Sequence, residues 1–299
     1  MPRTTASFRA DFLLLLTAFI WGVAFVAQRA GMDYMGPFTY NAVRFGLGTL
    51  TLLPVIKFRQ ARQQNSLLDK THEPGFLFRA GLMAGFLLFL GSSLQQVGIV
   101  YTTAGKAGFI TGLYVVIVPI LGLIWKQRPG KGVWIGSVLA VAGLYLLTIT
   151  HSLRIELGDF LVLLCAVAFA LHVLAIGWMV TRVDCIKLAA AQFFVTSILS
   201  LITALLFEEI ALTGIIQGIV PIAYGGIMSA GVAYTLQIVA QQQAPPAHAA
   251  IILSLESVFA VLAGWVILNE IMGIKEIMGC LLMFAGMLSA QLYPFKNSS

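Results

Sequence analysis

The stretch Leu94–Gly122, LQQVGIVYTTAGKAGFITGLYVVIVPILG, is said twice by the chain. Moved forward by 142 positions it falls on Leu236–Gly264, LQIVAQQQAPPAHAAIILSLESVFAVLAG, where Leu94, Gln95, Val97, Ala107, Ile110, Leu113, Val116 and Gly122 each meet the same residue. Both copies are an apolar segment, a short polar turn, and a second apolar segment with one polar residue near its middle. That residue is Tyr114 in the first copy and Glu256, at the matching position, in the second. The repeat continues outward. Asp11-Phe-Leu-Leu-Leu-Leu-Thr-Ala-Phe aligns with Asp159-Phe-Leu-Val-Leu-Leu-Cys-Ala-Val at an offset of 148. Gly136-Ser-Val-Leu-Ala-Val-Ala-Gly143 aligns with Gly279-Cys-Leu-Leu-Met-Phe-Ala-Gly286 at an offset of 143. Similarity at so nearly constant a spacing marks a duplicated unit.

Composition decides the solvent. Of 299 residues, 59% are hydrophobic and 10% charged, less than half the charged share usual in soluble domains. With a mean hydropathy of +0.93, the chain carries more apolar surface than one soluble core can hide. It is expected to be an integral membrane protein. Cys165, Cys185 and Cys280 are odd in number and unevenly spaced, so they offer neither a disulfide framework nor a paired zinc spacing.

A bilayer core of about 30 Å needs roughly 20 apolar residues in a helix. That ruler finds ten spans, at about 12–29, 38–56, 79–98, 104–125, 132–150, 158–179, 187–207, 216–239, 247–268 and 273–293. The first has a basic flank, Arg3 and Arg9, like a signal peptide. Its long apolar run, its lack of a small-x-small cleavage site and its twin at Asp159 make it a retained helix instead. The two copies, 11–150 and 159–293, divide the chain into units 1–150 and 151–299 of five helices each. Because five is odd, the second unit enters the membrane from the opposite side. The expected fold is therefore an all-α membrane protein of ten transmembrane helices, two inverted five-helix repeats around a central cavity.

Charge placement orients it. With the N-terminus inside, cytoplasmic segments hold Arg3, Arg9, Lys57, Arg59, Arg62, Lys70, Arg79, Lys126, Arg128, Lys131, Arg182, Lys187 and Lys296. The opposite side holds Arg29, Lys106, Arg154 and Lys275. Such a bias predicts both termini in the cytoplasm. It also accounts for the net charge of +6 through contact with the lipid bilayer, so nucleic acid is not an expected partner.

Several short pieces resemble the drug/metabolite transporter superfamily, and within it the ten-helix EamA-type exporters. They are Ile20-Trp21-Gly22, Val43-Arg44-Phe45, Thr103-Ala104-Gly105-Lys106-Ala107-Gly108-Phe109, Leu255-Glu256-Ser257-Val258-Phe259-Ala260, Asn269-Glu270 and the Gly279–Gly286 run. The resemblance covers residues 11 to 293. It departs from the family pattern at Ser257, where members commonly carry proline, and at Gln127, where a glutamate often ends the fourth helix; Glu270 keeps that glutamate in the second copy. What the resemblance implies is export or exchange of small metabolites such as amino acids, sometimes drugs, across a prokaryotic plasma membrane. Sugar-nucleotide and phosphate carriers share the superfamily, so the fold does not choose among them.

Ionisable groups within the hydrocarbon region face a cavity or a partner. Glu256 lies near the midplane of the ninth helix, either as an acceptor for a proton or a substrate amine, or paired with Arg44 or Lys106 to lock helices. Arg44 keeps its charge and so serves only to orient a carboxylate or hold a partner. Lys106 opens the fourth helix among glycines and alanines, either at an anion site or snorkelling to the interface. Trp21, its counterpart Phe169, and Tyr114 are candidates to line an apolar pocket, or else pack against neighbours. His172 is a proton relay or a hydrogen-bonded core histidine; His248 is expected as an interfacial cap. Gln95 and Gln237 are symmetry mates that bind a ligand or bridge helices. Pro119 should kink the fourth helix. Gly136, Gly143, Gly279 and Gly286 should pack closely, with a homodimer surface as a further role.

The expected function is secondary active export of small amphipathic metabolites by alternating access, one half rocking against the other, with a proton or another cation as coupling partner. A sugar-nucleotide or phosphate antiporter would want more intramembrane cations than Arg44 and Lys106. A membrane-embedded enzyme is the rival class, but four scattered histidines without HExxH or GxSxG give it no machinery. A glycine-rich phosphate loop is missing too, so no ATP motor or other cofactor is expected, and no metal.

Overall fold

The computed structural model describes residues 5–63, 74–102, 104–148, 156–268 and 273–292. These are almost wholly helical: α1 (Thr5–Gly31), α2 (Pro37–Gln63), α3 (Pro74–Tyr101), α4 (Ala104–Gly112), α5 (Tyr114–Ile124), α6 (Lys131–Thr148), α7 (Leu157–Met179), α8 (Cys185–Phe207), α9 (Leu212–Gln217), α10 (Ile219–Ala223), a π-helix (Tyr224–Tyr234), α11 (Thr235–Ala240), α12 (Pro246–Leu253), α13 (Glu256–Leu268) and α14 (Ile274–Leu292). Among the described residues, seven stretches are long and apolar enough to cross a membrane, and two more, Lys131–Leu146 and Ile277–Ala290, are apolar but shorter.

The molecule is apolar outside and gathers its polar groups within an otherwise apolar interior. Phe12, Phe78, Phe207 and Val220 stand exposed, while Asn41, Arg44, Gln95, Gln96, Gln192, Gln237, Gln241 and Glu256 are buried. That inversion suits a lipid surround, because a polar side chain facing hydrocarbon has nothing to bond.

Local chemistry sets the helix ends. Asp184 caps α8, accepting from the backbone N–H groups of Ile186 (2.9 Å) and Lys187 (3.0 Å). The start of α2 is capped from across the molecule: Glu208 accepts from Phe38 N (2.8 Å), Thr39 N (2.8 Å) and Thr39 Oγ1 (2.7 Å), a carboxylate at a helix N-terminus where the dipole favours it. Past α5 the chain turns through Lys126, whose φ of 59° is the left-handed C-terminal stop more often taken by glycine.

Two of the expected spans stand as apolar segments, Ala107–Ile124 and Pro246–Ala263, but neither is one continuous α-helix. The segment 104–125 parts at Leu113, six residues before Pro119, which lies inside α5. The segment 247–268 parts at Ser254–Leu255, between α12 and α13. The breaks are equivalent in the repeat, since Leu113 and Leu255 are 142 apart. Each is made by tightened turns: Leu113 N donates to Ile110 O at 3.2 Å, and Leu255 N to Ile252 O at 3.1 Å, one residue short of the α spacing.

The copies are interleaved. The most extensive packings each join a helix before residue 150 to one after 156: α6 on α14, α2 on α8, α3 on α7 and α8, and α1 on α13. The α6–α14 seam consumes the four glycines expected to pack closely. A Cβ on Gly136 would lie 2.7 Å from Gly286 O, and one on Gly143 would lie 2.5 Å from Gly279 O. This seam is therefore internal to the chain.

Candidate functional site

A cavity sits where the two breaks meet, with α1, α2, α3, α7 and the π-helix around it. Eight of the residues singled out from the sequence line it: Trp21, Arg44, Gln95, Tyr114, Phe169, His172, Gln237 and Glu256. The ninth, Lys106, has its side chain outside the described residues. The cavity measures about 30 Å³, room for roughly two water molecules.

Glu256 is the first residue of α13 and Tyr114 the first of α5, so each polar group is delivered by the chain's re-entry into helix. Both are buried. The two side chains face each other, with the Tyr114 hydroxyl aimed at the Glu256 carboxylate, but outside close hydrogen-bonding geometry at Glu256 Oε1. The backbone at Glu256 approaches α1 closely: a Cβ on Gly22 would lie 2.7 Å from the backbone carbonyl of Glu256. Only glycine lets α1 lie against this break.

Arg44 makes no ion pair with Glu256. Its Nε donates to Asn41 Oδ1 at 2.9 Å, and its guanidinium lies 4.7 Å from the Phe45 ring centre and 5.3 Å from that of Tyr40. The Arg44–Glu256 helix-locking pair is thus not made, while the Lys106–Glu256 alternative lies outside the described residues. Stacking and the Asn41 bond hold the cation at the cavity wall, with no carboxylate among the described residues to neutralise it.

Amide orientation follows from a short relay. Gln241 Nε2 donates to the Val173 carbonyl at 2.9 Å, which only a donor can do, so Gln241 turns its oxygen to Gln237. Gln237 then donates through Nε2 at 3.0 Å, and its own Oε1 remains buried without a partner. Its symmetry mate Gln95 instead donates to Thr111 Oγ1 at 3.2 Å. His172 bonds Gln192 at 2.9 Å and stands edge-on to Tyr234. Trp21 donates to the Ser229 carbonyl at 3.4 Å with its ring 4.5 Å from Tyr234. Phe169 closes on Gly91, where a Cβ would lie 2.8 Å from the ring.

Other lining residues were not anticipated: Phe25, Gln28, Thr111, Ser229 and Tyr234. Tyr234 packs against Trp21, Phe45, His172 and Phe193, making it the aromatic hub of the site. The signal for it was a tyrosine closing a glycine-rich apolar run, Gly225 to Tyr234. Gln28 belongs to the same class as Gln95, a lone amide in an apolar span; its Oε1 is also unpartnered. His248 makes no cap on α12 and instead bonds Asp11 at 2.7 Å.

Acceptors on Gln28, Gln237 and Glu256 thus lack a close partner around one cavity, Glu256 having only the Tyr114 hydroxyl facing it. Each buried unpaired group costs about 1–3 kcal/mol, which a donor-bearing ligand would offset. Arg44 lines the same cavity with the opposite sign.

The same family model, the EamA-like transporter family, matches residues 8–149 and again residues 156–290. An uncharacterized transporter of Archaeoglobus fulgidus is 34% identical over 287 residues, covering 95% of this chain and 86% of its own. The uncharacterized transporter YwfM of Bacillus subtilis is 28% identical over 297 residues, covering 97% of this chain and 96% of its own. One solved crystal structure, 16% identical, superposes with a TM-score of 0.75 over 95% of this chain and 96% of that one, a likeness of fold.

Proposed function

Since the chain belongs to the EamA-like transporter family, and so is a membrane transporter and not an enzyme, we propose that it is a secondary active exporter of small amphipathic metabolites, zwitterionic amino acids first among them. The observation that carries this is the set of unpartnered acceptors at Glu256, Gln237 and Gln28 on the cavity that Arg44 also lines. An α-ammonium group supplies three N–H donors to such acceptors, and an α-carboxylate accepts from a guanidinium. Trp21, Phe25 and Phe169 offer an apolar wall for the side chain.

In this reading the chain crosses a plasma membrane ten times as two inverted five-helix units, with both ends in the cytoplasm. The double family match and the placement of basic residues support it. Because the units are interleaved, opening comes from bending at Leu113 and Ser254–Leu255 more than from one half rocking whole. Discontinuous helices meeting at a central site are the usual way to combine exposed polar backbone with a membrane interior. Glu256 carries the coupling proton or else the substrate amine.

Counterflow tests this. Purified protein in liposomes preloaded with unlabelled amino acids should accumulate the labelled amino acid against its own gradient, and E256Q should not. Exchange of sugar nucleotides alone, without amino acids, would replace the proposal with the antiporter reading.

A further inference from the structure

Two polar contacts tie the copies together at opposite ends of the bundle. At one end His248, near the start of α12, bonds Asp11 of α1 at 2.7 Å. At the other, the Thr102 hydroxyl, between α3 and α4, donates to Asp159 Oδ1 of α7 at 2.7 Å. The ends are distinct. Arg29 of α1 donates to the Ile99 carbonyl beside Thr102 at 3.3 Å, and Asp11 lies 18 residues before it in the same helix, about 27 Å at helical rise. The two carboxylates are equivalent in the repeat, Asp11 and Asp159 being 148 apart.

We propose that Asp11–His248 and Asp159–Thr102 are reciprocal latches, each holding one end of the cavity shut and each released when that end opens. Each latch holds the outer part of a broken helix whose inner part lines the cavity: α12 runs from His248 to Leu253 at the cavity, and α4 runs from just beyond Thr102 to Thr111. Each break, at Ser254–Leu255 or Leu113, is a place for such a half-helix to bend. Both contacts are made here, and the cavity is narrow, about 30 Å³. A narrow cavity is what is expected when neither end has let go. The contacts are partly or fully buried, so breaking one without a replacement has a cost. Opening both together has twice that cost, which favours alternation. The assignment rests on alternating access at the cavity but not on the identity of the solute.

The test is sided labelling in the absence of substrate. S229C places a thiol on the cavity wall; an impermeant maleimide is added to right-side-out and inside-out vesicles, with the unsubstituted chain reporting its native cysteines. H248Q should raise labelling about tenfold from the face where α1 begins and leave the other face unchanged. T102V should do the converse, and T102S should behave as the parent. Should H248Q not accumulate, D11N addresses the same latch. Unchanged labelling, a rise from both faces, or a rise from the wrong face overturns the proposal. Because no transport is measured, sided labelling that follows the latches while counterflow fails would refute only the substrate assignment.

Discussion

The break at Leu113 and the break at Ser254–Leu255 have nearly the same backbone and different chemistry. Each interrupts a span with a tightened turn and restarts the helix on a polar residue facing the cavity. At the first that residue is Tyr114; at the second it is Glu256. The environments diverge with them. Beside Glu256, α1 presents Gly22, whose missing side chain admits the Glu256 carbonyl; the repeat equivalent on α7 is Ala170, which keeps a methyl. Duplication built a symmetric scaffold, and substitution then made the site asymmetric. A solute with distinguishable ends needs that asymmetry. A symmetric site would bind it equally well in two orientations.

The sharpest way to break this comparison is to remove the charge from one side. E256Q should lower counterflow about a hundredfold, the loss of a charge-assisted contact, and flatten its dependence on pH. Equal transport at each pH by wild type and E256Q would take Glu256 out of the coupling step. Y114F removes only a hydroxyl at the equivalent break and should cost about fivefold in counterflow, measured on the same preparations. If Y114F proved as harmful as E256Q, the two breaks would be chemically equal and the asymmetry argument would fail.

Scaffold substitutions sharpen the contrast. G22V should be destabilising by about 3 kcal/mol, since a Cβ there meets Phe259 Cβ as well as the Glu256 backbone; thermal unfolding in detergent reports it. G136A and G286A face each other's carbonyls at the same 2.7 Å and should lower the transition by nearly equal amounts, as symmetric packing requires. S257A should have the smallest effect, about 1 kcal/mol. Ser257 donates to the Gly108 carbonyl at 2.8 Å and so joins α13 to α4. The hydroxyl that replaces the family's common proline thus links the two copies.

Much of this was legible in the chain itself, for physical reasons. The offset repeat and the apolar runs pointed to a helical membrane protein. A lone charge or amide within such a run, as at Arg44, Gln95 or Glu256, has to face other protein in a lipid surround, and the structure gathers these groups at one cavity. Partnerships were not legible. Nothing in the one-dimensional pattern distinguishes Arg44 stacked on Phe45 from Arg44 paired with Glu256, because both bury the same side chain. The helix breaks were hidden as well, since Leu113 and Leu255 are ordinary helix formers; the proline that drew attention, Pro119, lies within a continuing helix. Tyr234 escaped notice because its importance lies in the four rings around it, which come from four different helices.

The most direct test of the account is a structure with the solute identified by counterflow bound. The account predicts its ammonium within hydrogen-bonding distance of Glu256 and Gln237 and its carboxylate at Arg44, between the two helix breaks. A solute bound away from Glu256, or bound with its carboxylate toward that residue, would contradict it.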